Sequence, residues 1–410
     1  MHPHRIRIDH YDYPLPENRI AQFPLEQRDR SKLLICKDGE INDDLFSNLP
    51  AYLPENSLLI FNETRVIHAR LIFQKASGSH IEIFCLEPLA PFRDHQQAFQ
   101  QQQWAEWKCL AGNSKRWKTG DLILSFRHNN QNIRLKVSRM SMTADGTSTV
   151  LFSWDPPEMT FAEMLDHAGK IPLPPYIHRQ PISQDEITYQ TIYARQQGSV
   201  AAPTAGLHFS PEVFAEIRKK NIDLLECVLH VGAGTFRPVT STTLAGHEMH
   251  AEKVFISLDN LKKLRDSNGK TLILVGTTTT RIMESLYWQG VKLIKKLTEG
   301  PEMDIRQWDP YEMNDSERIS KEEALERVII ECEKHQAQGV VGQTSLMIAP
   351  GYTFRYPDIL ITNFHQPRST LILMIAAYIG VEWRQAYQYA LDHDFRFLSY
   401  GDSCLFFKSK

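Results

Sequence analysis

The sequence predicts a mixed α/β protein into which an all-β module is inserted. Three observations carry that prediction: short strand-like runs spread over the whole chain, capped helical segments between them, and a stretch at 73–154 where strands and turns alternate without a strong helix. With 410 residues the chain has room for two or three domains. Its 42% apolar and 23% charged residues match an ordered globular protein.

The strand-like runs lie at 58–61, 81–86, 122–126, 133–137, 150–154, 224–231, 272–275 and 359–361. The strongest helix falls at 320–335, where Ser320 and Glu323 form a capping box and Leu325, Val328, Ile329 and Cys332 recur on one face. A second opens at Ser210-Pro211-Glu212, a cap residue followed by proline in the first turn, and runs to about Asn221. A third spans 280–290. The glutamine-rich stretch 96–103 reads as a surface loop, because polar tracts bury little.

Cys36, Cys85, Cys109, Cys227, Cys332 and Cys404 are scattered without short paired spacings, which implies reduced thiols and neither a zinc site nor a disulfide framework. The first residues lack the apolar stretch of a secretory signal, and the longest apolar run, 371–381, is too short to span a bilayer. A cytoplasmic protein without membrane contact, and a monomer, is expected. The formal net charge of −3 provides no global attraction to nucleic acid, so an RNA partner requires a local basic patch.

Several constellations could carry chemistry. The segment 198–209 gathers small residues, among them Ala202, Pro203, Thr204 and Gly206, ahead of His208 and the Ser210 helix. Small side chains let a ligand approach the backbone, and a helix amino end offers N–H groups to an anion such as a methionine carboxylate; the alternative is a tight structural turn. Residues 229–237 place His230, Gly232, Gly234 and Thr235 after a strand, but the third glycine of a dinucleotide fingerprint is missing and Pro238 stands where its helix should start. The 247–252 segment, with His250 and Glu252, lacks the spacing of a metalloprotease helix and suits acid–base or ribose-binding work, or a solvated turn. Tyr176, Tyr189, Gln190 and Tyr193 stand among arginines and a histidine, a mixture used to stack bases and hold phosphates, although aromatics at such spacing are more often core.

Taken in order, these segments resemble the S-adenosylmethionine:tRNA ribosyltransferase-isomerase family of queuosine biosynthesis over nearly the whole chain. Further landmarks are Ile20 to Glu26, Phe61 to Ile67, Ile171 to Ile177, Val275-Gly276-Thr277-Thr278, Thr362-Asn363-Phe364-His365 and Tyr400-Gly401-Asp402. The resemblance implies a large mixed α/β domain with a small inserted β-barrel domain, divided as 1–72, 73–154 and 155–410. The stretch 287–342 is longer than the family pattern and is expected to be an insertion. Glu63, His68, Val254, Gln366 and Arg368 depart from that pattern; arginine at 368 could grip an anion bidentately.

The activity implied is transfer and isomerisation of the ribosyl group of S-adenosylmethionine onto 7-aminomethyl-7-deazaguanine in the tRNA anticodon. Epoxyqueuosine forms, and adenine and methionine are released. S-adenosylmethionine is then a co-substrate, with no prosthetic group and no metal. The sulfonium acidifies the neighbouring ribosyl carbon, so a base is required, with His208 and His230 as first candidates and His250 or Glu252 to protonate adenine. Asn62, Arg65, Arg281, Asn363, His365 and Arg368 join the small-residue and tyrosine segments as substrate-binding candidates. Two other readings remain: an ordinary methyltransferase, disfavoured by the absent glycine fingerprint, and a noncatalytic tRNA-binding relative.

Overall fold

The computed structural model describes residues 3–75, 78–128, 131–143, 146–232, 239–313 and 318–408. Strands β1 (Lys32–Lys37) and β2 (Glu40–Leu45) pair antiparallel and precede α1 (Leu49–Tyr52), the fully buried β3 (Ser57–Asn62) and the short β4 (Thr64–Val66). Next come β5 (Arg70–Gln74), β6 (His80–Ala90), α2 (His95–Gln100), β7 (Trp104–Gly112), β8 (Leu122–His128), β9 (Gln131–Met142) and β10 (Thr147–Asp155). The chain continues through α3 (Phe161–Ala168), β11 (Gly169–Lys170), α4 (Asp185–Thr188), β12 (Gln196–Ser199), α5 (Pro211–Lys219) and β13 (Asp223–His230). Then follow β14 (Glu252–Ser257), α6 (Leu258–Asp266), β15 (Thr271–Val275), α7 (Gly276–Ile294), β16 (Met303–Ile305) and α8 (Asp309–Glu312). Last are α9 (Lys321–Lys334), β17 (Gly339–Thr344), β18 (Ile359–Asn363), α10 (Thr370–Ile379), α11 (Trp383–Asp392) and β19 (Ser403–Phe407).

Ten strands make the main sheet, in the order β16-β17-β14-β13-β3-β15-β18-β19-β1-β2. The central four, β13-β3-β15-β18, run parallel. Their near-continuous apolar sequences suit burial on both faces. Leu58 and Ile60 of β3 face a core shared with α6, α7, α9, α10 and α11, whereas Leu59 and Phe61 face Phe209, Val213 and Ile217 around α5. From β3 the chain moves to β13 on one side, then to β15 and β18 on the other. That reversal leaves a crevice beyond the carboxyl ends of the strands, where ligands bind in open α/β sheets.

The second sheet, β11-β5-β6-β7-β10-β9-β8, is antiparallel and curls until β8 approaches β5. Its inward side chains, among them Phe73, Ile83, Trp107, Val137 and Phe152, enclose a separate core. Contrary to the loop expected at 96–103, His95–Gln100 is helical: Asp94 caps it by accepting from Gln97 N, and Ala98 and Phe99 are buried against Trp107. Two buried side chains thus outweigh a polar tract.

The 287–342 segment is built into the main body. It supplies the second half of α7, the edge strand β16, most of its neighbour β17, and α9, whose capping box has both bonds formed. At Gly290 a Cβ would lie 2.2 Å from the Ala324 carbonyl oxygen, so only glycine lets α9 press its backbone on α7. All six cysteines are buried and free. Among the described residues, no helix is long and apolar enough to cross a membrane.

Candidate functional site

A cleft of about 730 Å³, part of it open solvent, lies beyond the carboxyl ends of β15 and β18 and is lined also by residues 201–205 and by Val231 just past β13. One wall comes from the strand-to-helix turn after β15. Gly276, at φ +88°, swings the chain directly from β15 into α7, and no side chain caps the helix. The first N–H groups of a helix lack intrahelical partners and carry partial positive charge, and Gly276, Thr277 and Thr278 bring that end to the cleft. Thr278 Oγ1 is buried with no partner among the described residues.

The end of the neighbouring strand β18 supplies the adjacent groups. Asn363 is 2% exposed; its Nδ2 donates to Leu398 O (3.4 Å) and to His208 Nε2 (2.9 Å), while its Oδ1 has no partner among the described residues. His365, also buried, shares a 3.0 Å bond between Nε2 and Thr362 Oγ1, and burial pushes its pKa down to about 3. The Tyr176 hydroxyl bonds Ser399 Oγ at 2.6 Å on the outer wall, and burial raises its pKa far above the usual range.

Of the residues singled out from sequence, Tyr176, Ala202, Pro203, Thr204, Asn363 and His365 line this cleft. His208 stands behind Asn363, 4% exposed, with Nδ1 bonded to Ser31 Oγ at 2.9 Å. Burial, then the Arg396 and Arg28 guanidinium groups, push its pKa down to about 3. His230 bonds Thr64 Oγ1 at 3.0 Å and packs on the His95 ring of α2; burial, then His95, lowers its pKa to about 3. Neither histidine lines the cleft.

The rest are placed elsewhere by their partners. Glu252 and Arg281 form a buried ion pair at 2.5 Å between β14 and α7. Asn62 spends its amide on Leu229 and Thr64 backbone groups, and Gln190 clamps both backbone groups of Val66. Tyr189 is fully buried beside Tyr400, and Tyr193 packs on Phe61 and Phe214 with its hydroxyl over Gly206, where a Cβ would lie 2.0 Å away. Arg65, His250 and Arg368 are exposed, and Gly232 is half-buried away from the cleft lining. Gly234 and Thr235 lie outside the described residues. The amino end of α5, expected to hold a carboxylate, is closed by Ser210, which caps Val213 N and donates to Asp29.

Sequence reasoning passed over Thr277, Thr278, Gln366 and Ser399 as cleft residues. The signal for the first two was present: an apolar strand, one glycine, then four threonines entering a helix. Among the described residues no three His, Cys, Asp or Glu side chains converge as a metal-ligand set.

A family model described as queuosine biosynthesis protein matches residues 8–406. The S-adenosylmethionine:tRNA ribosyltransferase-isomerase of Desulfitobacterium hafniense is 35% identical over 405 residues, covering 98% of this chain and 99% of the relative. That of Thermosynechococcus vestitus is 35% identical over 413 residues, covering 100% and 98%. The crystal structure of an S-adenosylmethionine tRNA ribosyltransferase from Thermotoga maritima is 26% identical, covers 97% of this chain and 99% of that one, and superposes with a TM-score of 0.45.

Proposed function

The chain belongs to the queuosine biosynthesis family whose ribosyltransferase-isomerases it matches end to end, and from that premise we propose that its cleft is where S-adenosylmethionine and tRNA react. The enzyme transfers and isomerises the ribosyl moiety of S-adenosylmethionine onto the aminomethyl-deazaguanine of the tRNA anticodon, giving epoxyqueuosine with release of adenine and methionine. It works in the cytoplasm as a monomer. The observation that carries the site is the uncapped amino end of α7 facing a crevice at the carboxyl ends of parallel strands, where small residues let a ligand lie against the backbone.

Within that cleft the base assignment moves from His208 and His230 to His365. Apart from Tyr176, His365 is the one titratable side chain among the described lining residues, and burial keeps it neutral. With Nε2–H donating to Thr362 Oγ1, its Nδ1 lone pair is available to take the proton from the ribosyl carbon next to the sulfonium. Loss of that proton expels adenine, which takes up the proton now held by the His365 imidazolium, and leaves an unsaturated sulfonium. The aminomethyl nitrogen adds to it, and closure of the epoxide breaks the carbon–sulfur bond to free methionine.

Single-turnover release of adenine from S-adenosylmethionine with tRNA bearing the aminomethyl base tests both statements. Wild type should release adenine and methionine only with that tRNA, and His365→Ala should lower the rate about 100-fold or more while tRNA binding persists. Methylated RNA as the product, or binding without adenine release, would reject the activity; an unimpaired His365→Ala would reject the base.

A further inference from the structure

Asn363 presents an unusual combination: a side chain 2% exposed, a carbonyl oxygen without a partner among the described residues, and a place on the cleft wall beside the free amino end of α7. A buried acceptor left empty is costly, so such an atom is a place for a ligand donor. Its orientation is fixed from behind. Leu398 O can only accept, so the amide nitrogen faces it, and the same nitrogen donates to His208 Nε2 at 2.9 Å. His208 Nε2 must then be unprotonated, which puts the proton on Nδ1, donating to Ser31 Oγ at 2.9 Å. Were His208 doubly protonated, two donors would face each other and the amide would turn, taking its oxygen away from the cleft. Burial and two nearby guanidinium groups hold the imidazole neutral.

A pure acceptor next to a helix amino end is complementary to a donor nitrogen and an anionic group carried close together. An α-amino acid has both on one carbon. We propose that Asn363 Oδ1 accepts from the α-ammonium of S-adenosylmethionine, that the amino end of α7 receives its α-carboxylate, and that His208, itself held by Ser31, is a positioning residue which fixes the Asn363 amide. The proposal rests on reading the cleft as the S-adenosylmethionine site and names the part of that ligand each wall holds. It gives His208 a role without proton transfer, and it explains why a histidine in the small-residue segment is sealed off from the cleft.

Titration calorimetry on the full chain, with S-adenosylmethionine and with its analogue lacking the α-amino group, tests this. Wild type should prefer S-adenosylmethionine by about tenfold or more, the range of a hydrogen bond to a charged group. Asn363→Ala should remove the preference by weakening S-adenosylmethionine alone. His208→Phe should erode it, and His208→Gln, whose amide can accept from Asn363 and donate to Ser31, should restore it. Equal wild-type affinity for the two ligands overturns the proposal without any variant, should one fail to fold in thermal melts. Equal weakening of both ligands by Asn363→Ala overturns the ammonium contact, and glutamine no better than phenylalanine at 208 overturns the positioning role. No binding of S-adenosylmethionine by folded wild type would instead overturn the reading of the cleft, and this proposal with it.

Discussion

Removing either member of the Glu252–Arg281 pair should unfold the protein more readily without touching the chemistry directly. The two side chains are 4% and 5% exposed and meet at 2.5 Å, and Arg281 Nε is already buried without a partner among the described residues. Four residues along α7, Ser285 bonds Thr344, which pairs with Glu252 across β14 and β17. The result is a polar seam that sets the register of α7 on the sheet. Truncation of Glu252 to alanine strands a buried guanidinium, which costs about 3–5 kcal/mol, whereas replacing both partners with methionine should recover most of that loss. Urea unfolding followed by tryptophan fluorescence, run on Glu252→Ala, Arg281→Ala and the double methionine variant, measures it. Adenine release should survive in the double variant. A Glu252→Ala protein as stable as wild type but unable to release adenine would refute the reasoning and return Glu252 to the reaction.

Two further outcomes follow from burial. His95 is pushed down to about 4 and His208, His230 and His365 to about 3, so the unfolded chain binds protons that the folded one refuses below about pH 6.5. Their contribution is present above that pH and is lost as pH falls: each costs up to about 1.4 kcal/mol per unit, and roughly 5 kcal/mol should disappear between pH 7.5 and 5.5. Urea midpoints that stay flat over that interval would mean that the imidazoles titrate as if exposed. Gly290→Ala should part α7 from α9 and cost about 1–3 kcal/mol by overpacking, with affinity for S-adenosylmethionine unchanged; loss of that affinity instead would tie this contact to the cleft.

The fold was legible because its strongest signals are local. The apolar runs at 58–61, 272–275 and 359–361 became central strands, and the Ser320 capping box formed as its residue types require. Edge strands such as β2, with only partial burial, and β16, three residues long, gave no comparable pattern. The site was legible in part. Residue chemistry pointed to histidines and tyrosines, but whether a histidine faces a cleft or a serine behind it depends on contacts such as Ser31 with His208, 177 residues apart. Glu252 and Arg281 were named separately as an acid and a substrate-binding residue; only the packing of α7 on β14 shows that they answer each other.

The residues lining the cleft carry a consequence for the reaction itself. Of its described lining side chains, the titratable pair are His365, which burial holds down to about 3, and Tyr176, which burial raises far above its ordinary range. Neither changes charge between about pH 5 and 9. Asn363 and the amino end of α7 do not titrate at all. The enzyme thus offers the same set of donors and acceptors over that whole interval, and on the proposed assignment of His365 as base the activation comes from the substrate's own sulfonium, which acidifies the ribosyl carbon enough for a weakly basic imidazole to suffice. The pH dependence of single-turnover chemistry should therefore show no limb from the enzyme. What remains is the aminomethyl nitrogen of the tRNA, which attacks only when deprotonated, so the release of methionine, which follows that attack, should rise with pH along one limb whose midpoint moves when that amine is replaced by one of different basicity. A midpoint that ignores the amine but shifts in Thr362→Val, which removes the hydroxyl bonded to His365 Nε2, would place the titrating group on the protein and refute the argument.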